Sequence, residues 1–251
     1  MSAVLRTERL SRSWGALQAV RQVSFSLQAG ARHALIGPNG AGKTTLVNLL
    51  TGRVPPQGGD VFLDGERITH LPQHLRVKRG MTRTFQITTL FPGLTVLESV
   101  ALAICERKGL GAAWWRPVAR HGPEIEEARR ILRDLHLEAE ADVATRSLPY
   151  GKQRLLEIAV ALATRPRVLL LDEPAAGIPV GESAEVFGVL ASLPRDVTIL
   201  FIEHDMNLVF RFAERITVLV EGSILVEGAP EEIATNPRVR EVYLGEGGGH
   251  G

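Results

Sequence analysis

The chain has a single cysteine, almost no net charge and no long hydrophobic run. Because Cys105 has no second cysteine to pair with, an internal disulfide is excluded and a reducing compartment is expected. The 29 basic and 28 acidic residues nearly cancel, so composition gives no reason to expect nucleic-acid or anionic-membrane binding. A hydrophobic fraction of 45% and a charged fraction of 23% in 251 residues are typical of a folded globular protein.

The apolar runs are too short to predict a transmembrane helix. Val168–Leu171, Val197–Ile202 and Ile216–Val220 have the length of strands, whereas a spanning helix needs roughly 18 apolar residues. The first residues carry Arg6 and Arg9 without an apolar segment, so no secretory signal is expected. These features predict a cytoplasmic protein that reaches a membrane only through a partner.

The alternation of strand and helix patterns predicts an α/β core that is interrupted by a helical insertion. Strands are expected within residues 1–30, 33–36, 167–171 and 197–202. Residues 95–165 are mostly helical in pattern. Further helices are expected at 182–193 and 205–213, followed by a strand pair around Glu221 and Gly222.

One glycine-rich segment matches a phosphate-binding loop in every fixed position. Gly37, Gly42, Lys43 and Thr44 fit the pattern G-x-x-x-x-G-K-[ST], with an apolar strand before the segment and a helix after it. Glycines let main-chain N–H groups approach phosphate oxygens, and the helix N-terminus adds a favourable dipole. We expect Lys43 to reach the β- and γ-phosphates and Thr44 to bind Mg²⁺. The predicted nucleotide-binding residues of this loop are Gly37, Pro38, Asn39, Gly40, Ala41, Gly42, Lys43, Thr44 and Thr45.

A second apolar strand ends in two acidic residues. Asp172 and Glu173 follow Val168–Leu171, and the carboxyl edge of a parallel sheet is where such folds bind ligands. Asp172 is therefore predicted to hold Mg²⁺, and Glu173 to polarise the attacking water.

Four further segments resemble motifs of the ATP-binding cassette (ABC) ATPases, in the same order along the chain. Leu148–Gln153 (Leu-Pro-Tyr-Gly-Lys-Gln) resembles the signature motif of that family. Gln86 resembles its Q-loop glutamine, His204 its switch histidine, and Trp14 the aromatic residue that stacks on adenine. The resemblance covers essentially the whole chain.

This resemblance implies a P-loop NTPase fold of the α/β class, with ATP and Mg²⁺ as cofactors. It implies a RecA-like core with an antiparallel β subdomain over 1–90 and 164–245, a helical subdomain over 91–163 and a frayed tail over 246–251. The resemblance assigns the following roles: catalysis to Glu173, His204 and Gln86; Mg²⁺ binding to Thr44, Gln86 and Asp172; further nucleotide contacts to Trp14, Val20, Tyr150 and Gly151. Tyr150 and Gly151 would serve the ATP held by a second subunit.

Within the family, several strings resemble the ATPase subunits of branched-chain amino-acid importers, among them Trp14–Val20, Arg83–Gln86 and Ile202–Met206. Lipopolysaccharide exporters and importers of urea or short amides share several of these strings and remain alternatives. The implied partners are two integral-membrane permease subunits, a second ATPase subunit (a copy or a paralogue) and an external solute-binding protein. No nucleic acid is expected as a partner, and the implied location is peripheral, on the cytoplasmic face of the inner membrane.

Rival functions from other classes are a nucleic-acid-linked ABC switch protein and a regulatory subunit that binds nucleotide without hydrolysing it. The near-zero net charge and the single cassette disfavour the first, and Glu173 and His204 disfavour the second.

Two departures from the family pattern concern contacts with a partner subunit. Pro149 replaces a residue that is usually small or hydroxylated, and Pro179 replaces Asp or Asn.

Overall fold

The computed structural model describes residues 3–84, 90–110 and 122–245. Within these ranges the strands are β1 (Ala3–Trp14), β2 (Leu17–Val23), β3 (Ser26–Gln28), β4 (Arg32–Ile36), β5 (Gly58–Leu63), β6 (Glu66–Arg67), β7 (Met81–Arg83), β8 (Val168–Asp172), β9 (Thr198–Ile202), β10 (Arg215–Val220) and β11 (Ser223–Gly228). The helices are α1 (Lys43–Thr51), α2 (Gln73–Lys78), α3 (Val96–Arg107), α4 (Gly122–Asp134), α5 (Tyr150–Ala163), α6 (Val180–Ser192), α7 (Met206–Phe212), α8 (Pro230–Thr235) and α9 (Pro237–Gly245). The predicted alternation of strands and helices is confirmed, whereas the predicted tail at 246–251 lies outside the described residues.

The described residues up to Arg76 and from Arg195 onward form one compact unit. In this unit β1 pairs antiparallel with β2, β3 and β5, and β6 pairs with β5. A second set of strands places β4 between β9 and β10, parallel to both, and β11 returns antiparallel to β10. All five residues of β4 are buried, which is the environment that its apolar run Ala34–Ile36 predicts.

The second compact unit is Val77–Pro194. Its strands β7 and β8 pair in parallel, with Arg83 opposite Leu170. Helix α3 packs against α4 and α5, and α5 also contacts α6. Helix α3 begins with a capping box, in which Thr95 Oγ1 accepts from the main-chain N–H of Glu98, and the Glu98 side chain accepts from that of Thr95. This unit contains the described part of the predicted helical segment together with β7, β8 and α6; the predicted subdomain boundaries stay a prediction.

An ion-pair network around the buried carboxylate of Glu127 joins the helices of the second unit. Arg107, at the end of α3, donates to both carboxylate oxygens of Glu127 on α4 at 2.9 Å and to the main-chain oxygen of Ala163 at 2.7 Å. Arg165 donates to Glu127 as well, at 2.9 Å. The hydrogen bonds from Arg107 are the main cause that lowers the pKa of Glu127 to about 2, so this carboxylate stays ionised and three helices remain tied together.

Helices long and apolar enough to cross a bilayer are absent from the three described ranges.

Candidate active site

The phosphate loop connects β4 to α1 in the first unit. Its glycines have positive φ angles of 154° at Gly37, 77° at Gly40 and 100° at Gly42. A Cβ atom at Gly37 would lie 2.0 Å from the main-chain oxygen of Leu219, and one at Gly42 would lie 2.1 Å from that of Ala19. Only glycine fits these two positions, because the loop backbone passes directly against β10 and β2.

Lys43 folds back across this loop. Its ammonium group donates to the main-chain oxygens of Gly37 at 2.6 Å and Pro38 at 2.9 Å, and the residue is buried. Helix α1 starts at Lys43 with Gly42 as its N-cap, and no side chain caps this end. Of the next two residues of α1, Thr44 is exposed and Thr45 is half-buried. An anion bound at this loop would therefore lie close to both the ammonium group of Lys43 and the N-terminus of α1.

The other end of α1 is fixed by a buried arginine. Arg76 of α2 is 1% exposed and donates to the main-chain oxygens of Leu49 at 2.8 Å and Leu50 at 2.5 Å, with a further bond to Leu71 at 2.9 Å. Burial lowers the pKa of Arg76 to about 10, so the guanidinium stays charged at neutral pH. A cation at this C-terminus matches the helix dipole and holds the phosphate-loop helix in place.

Trp14 ends β1 with an open aromatic face. It is 49% exposed, and the guanidinium carbon of Arg12 lies 4.3 Å from its ring centroid. Arg12 is anchored in turn by a hydrogen bond to the main-chain oxygen of Pro55 at 3.1 Å. Val20 is buried in β2, next to Ala19, whose main-chain oxygen approaches the phosphate loop. Strand β2 therefore lies beside both predicted sites, because its Leu17 pairs with Trp14 and its Ala19 approaches the phosphate loop.

Replacing Arg12 by alanine is expected to weaken ADP binding about two- to fivefold. The Arg12 guanidinium holds one face of the Trp14 ring, and an exposed cation–π contact contributes about 0.5–1 kcal/mol. Without this contact the ring is held less firmly, so stacking of a base on its other face is weakened by a similar amount. Titration calorimetry measures the change. The matched control is Arg6→Ala, which removes the same kind of contact, over Phe62 at 4.2 Å, from the other end of β1. Equal affinities for Arg12→Ala and wild type would show that Arg12 does not hold the ring for a base.

His204 follows β9, the parallel neighbour of β4. Leu35 pairs with Ile202, so the carboxyl ends of these two strands, and with them the phosphate loop and His204, lie at one edge of the sheet. His204 is exposed, and its main-chain N–H donates to Glu203 at 3.1 Å. The structure therefore brings His204 to the same edge as Lys43.

The acid pair lies at the corresponding edge of the second unit. Asp172 is the last residue of β8, and its side chain is only 2% exposed. It forms an ion pair with Arg83 at the end of the neighbouring strand β7. Glu173 is half-buried and has a φ of 50°. A non-glycine residue in this left-handed region is uncommon and stores strain, which concentrates at functional sites.

The signature segment starts α5. Pro149 is the N-cap, no side chain caps the helix, and Tyr150 and Gly151 are its first residues. A Cβ atom at Gly151 would lie 2.7 Å from the carboxylate of Glu182, and one at Gly177 would lie 3.2 Å from the Tyr150 ring. The segment therefore packs against the chain that follows the acid pair, within the same unit.

Pro179 is the N-cap of α6, so both departures from the family pattern stand where a helix begins. The N–H group that proline lacks is not needed there by the helix ladder. Gln86 lies outside the described residues, and its role stays a prediction.

Sequence reasoning missed two residues of these sites, Arg83 and Arg12. Arg83 lies in the short strand β7, whose three residues are all buried, but this strand was not predicted, so nothing in the sequence analysis singled Arg83 out. The signal for Arg12 was its position two residues before Trp14, on the same face of β1.

Comparison with known proteins identifies the family. The family model described as "ABC transporter" matches residues 20–176, and the one described as "Branched-chain amino acid ATP-binding cassette transporter" matches residues 223–249. The branched-chain amino acid transport ATP-binding protein BraF of Pseudomonas aeruginosa is 40% identical over 97% of this chain and 98% of its own length. The corresponding LivG protein of Escherichia coli is 39% identical over the same shares of the two chains.

Two other relatives widen the comparison. The lipopolysaccharide export ATP-binding protein LptB of Acidithiobacillus ferridurans is 37% identical over 98% of both chains. A crystal structure of the ADP conformation of an ATP-binding cassette of an ABC transporter superposes with a TM-score of 0.85, at 30% identity, over 98% of this chain and 100% of the other. The chain therefore belongs to the ABC transporter family, as an ATP-hydrolysing cassette subunit.

Proposed function

We propose that this chain powers the import of branched-chain amino acids. The observation that carries the proposal is the 39–40% identity, over 97% of the chain, to two relatives named for that transport. The match of residues 223–249 to a branched-chain amino-acid transporter family supports the same solute class. Lipopolysaccharide export is the second candidate, which the 37% identity to an exporter ATPase favours. Import of urea or short amides stays an alternative from the sequence.

We assign the binding of ATP to the sites described above. The loop of residues 37–45 would cradle the phosphates, with Lys43 on the β- and γ-phosphates, because its backbone and cation form an anion-binding cradle. Trp14 would stack on adenine with its half-exposed ring, and Val20, which is buried in β2, is the further nucleotide contact that the family resemblance assigns. Tyr150 and Gly151 would offer the uncapped start of α5 to the ATP of a second subunit.

The donor chemistry of two predicted ligands fits Mg²⁺. Thr44 presents an exposed hydroxyl and Asp172 a carboxylate, and Mg²⁺ in nucleotide sites takes one or two protein oxygens together with phosphate and water. The described parts of the chain contain no cluster of three or more His, Cys, Asp or Glu that would form an all-protein metal site. We propose that Thr44, Asp172 and Gln86 hold the ion. When bound, it would neutralise charge that develops on the β- and γ-phosphates.

In the proposed reaction, Glu173 takes a proton from the attacking water, and its half-buried carboxylate lies one residue beyond Asp172. His204 positions that water and contacts the γ-phosphate, and Gln86 completes the catalytic set. Main-chain N–H groups and Lys43 stabilise the charge on the transferring phosphoryl group.

We propose the assembly that membership of the ABC transporter family implies. Two cassette subunits, identical or paralogous, close on two ATP molecules and drive two membrane permease subunits, which receive solute from an external binding protein. The chain then lies peripherally on the cytoplasmic face of the membrane. Its proposed division is a RecA-like core with a β subdomain, at 1–90 and 164–245, and a helical subdomain at 91–163.

The test is transport by the assembled complex in lipid vesicles. The chain is reconstituted with its permeases, its second ATPase subunit and its solute-binding protein. We expect leucine, isoleucine and valine to raise ATP turnover and to enter the vesicles only with ATP. Stimulation by urea or by lipopolysaccharide, without any response to the three amino acids, would refute the proposed solute.

A further inference from the structure

The ion pair between Arg83 and Asp172 is buried where the proposed function needs a metal ligand. The side chains are 6% and 2% exposed, and the guanidinium Nη2 donates to Asp172 Oδ2. The pairing of β7 with β8 sets this contact, since Arg83 lies opposite Leu170, two residues before Asp172. The main-chain N–H of Thr84 also donates to the main-chain oxygen of Leu170, at 3.0 Å, and this bond fixes the end of β7.

A buried carboxylate needs a compensating charge, and here the protein itself provides it. Removing a charge from water costs several kcal/mol, and a well-placed opposite charge offsets much of that cost. Asp172 is thus already neutralised by Arg83 without a metal ion. A divalent cation that binds the same carboxylate is repelled by the guanidinium of Arg83. One of the two carboxylate oxygens also already accepts a hydrogen bond from Arg83.

We propose that Arg83 is a positioning residue that holds Asp172 in place before Mg²⁺ binds and then competes with Mg²⁺ for its charge. This inference rests on the proposed role of Asp172 as a metal ligand. Arg83 keeps the carboxylate ordered and paired between turnovers, at the expense of weaker metal binding. The metal affinity of the cassette is thereby set by the arginine that is paired with the proposed ligand Asp172.

The experiment measures Mg²⁺ affinity rather than activity. The full chain is saturated with ADP, and MgCl₂ is titrated by calorimetry into wild type, Arg83→Met and Arg83→Gln. We expect both variants to bind Mg²⁺ about tenfold or more tightly, because the repulsion between the divalent ion and the guanidinium paired with its ligand Asp172 is removed. Arg83→Gln retains a hydrogen-bond donor toward Asp172 without the charge, so it gives the answer if Arg83→Met does not fold.

A matched control separates this effect from general loss of stability. Arg107→Met removes another arginine of the same unit, one that is paired with the buried Glu127, and is expected to leave Mg²⁺ affinity at the wild-type value. Affinity within twofold of wild type, or lower, in the folded Arg83 variants would overturn the inference and leave Arg83 as a tie between strands. If ADP-loaded wild type binds no Mg²⁺, or Asp172→Asn binds it as well as wild type, the metal role of Asp172 fails and the inference fails with it.

Discussion

Glu173→Gln is expected to lower steady-state ATP turnover by about 10²–10⁴-fold while nucleotide affinity stays close to wild type. The amide has nearly the same size and shape as the carboxylate, but it cannot accept the proton of the attacking water, and a positioned general base contributes a factor of that size. The left-handed backbone at Glu173, with φ of 50°, is unchanged by the substitution, so the loss reports chemistry rather than folding. Phosphate release gives the turnover, and calorimetry gives the affinity.

The chain offers a matched control in Glu221. This glutamate also has a positive φ, of 45°, but its side chain is 80% exposed in the turn between β10 and β11. Glu221→Gln is therefore the same chemical change on the same kind of backbone, and we expect wild-type turnover from it. If Glu173→Gln keeps more than about a tenth of wild-type turnover, the assignment of Glu173 as the base is wrong.

The parts of the site that were predictable from the sequence are those that local chain geometry determines. Residues 37–45 are contiguous, and a strand, a glycine loop and a helix in that order leave few conformations for the backbone. The position of His204 follows from a rule about parallel strands, because β4 and β9 both lead the chain to the same edge of their sheet. The loop was predicted from its own pattern, whereas His204 was assigned from the family resemblance, and its role stays a prediction.

Contacts between distant segments were not predictable in the same way. Arg83 and Asp172 are 89 positions apart, and only the register of β7 against β8 brings them together. No strand is predicted over residues 81–83 from the sequence, and the burial of Arg83 in β7, which requires a charged partner, is visible only in the structure. The same holds for Arg76, whose partners are main-chain oxygens and leave no pattern in the sequence.

The two prolines illustrate a different limit. Pro149 and Pro179 stand at helix N-caps, where the main chain tolerates proline, so the structure explains their presence in this chain. The family resemblance implies that the signature segment acts across a subunit interface, and we therefore predict that Pro149 weakens the ATP site of a partner subunit. Pro149 offers no hydroxyl, while the uncapped N–H groups at the start of α5 remain for a phosphate. A weaker partner site therefore stays a prediction.

Lys43→Ala is expected to weaken ATP and ADP binding by about 10- to 150-fold. The ammonium lies in the phosphate loop, 2.6 Å from the main-chain oxygen of Gly37 and 2.9 Å from that of Pro38. A phosphate oxygen would exchange these neutral acceptors for a charged one, and a charge-assisted hydrogen bond contributes about 1.5–3 kcal/mol. Calorimetry with ADP measures the loss.

Two further variants distinguish the charge of Lys43 from its bulk. Lys43→Met keeps a long unbranched side chain without the ammonium, so we expect it to lose as much affinity as Lys43→Ala. Lys108→Ala removes a lysine paired with Glu124 at 2.7 Å in the second unit, and we expect it to bind nucleotide like wild type. Wild-type affinity in Lys43→Met alone would mean that the stem of Lys43 supports the loop by packing. Wild-type affinity in both Lys43 variants would exclude a phosphate contact by this lysine, since the loss of a charged hydrogen bond must appear in the binding constant.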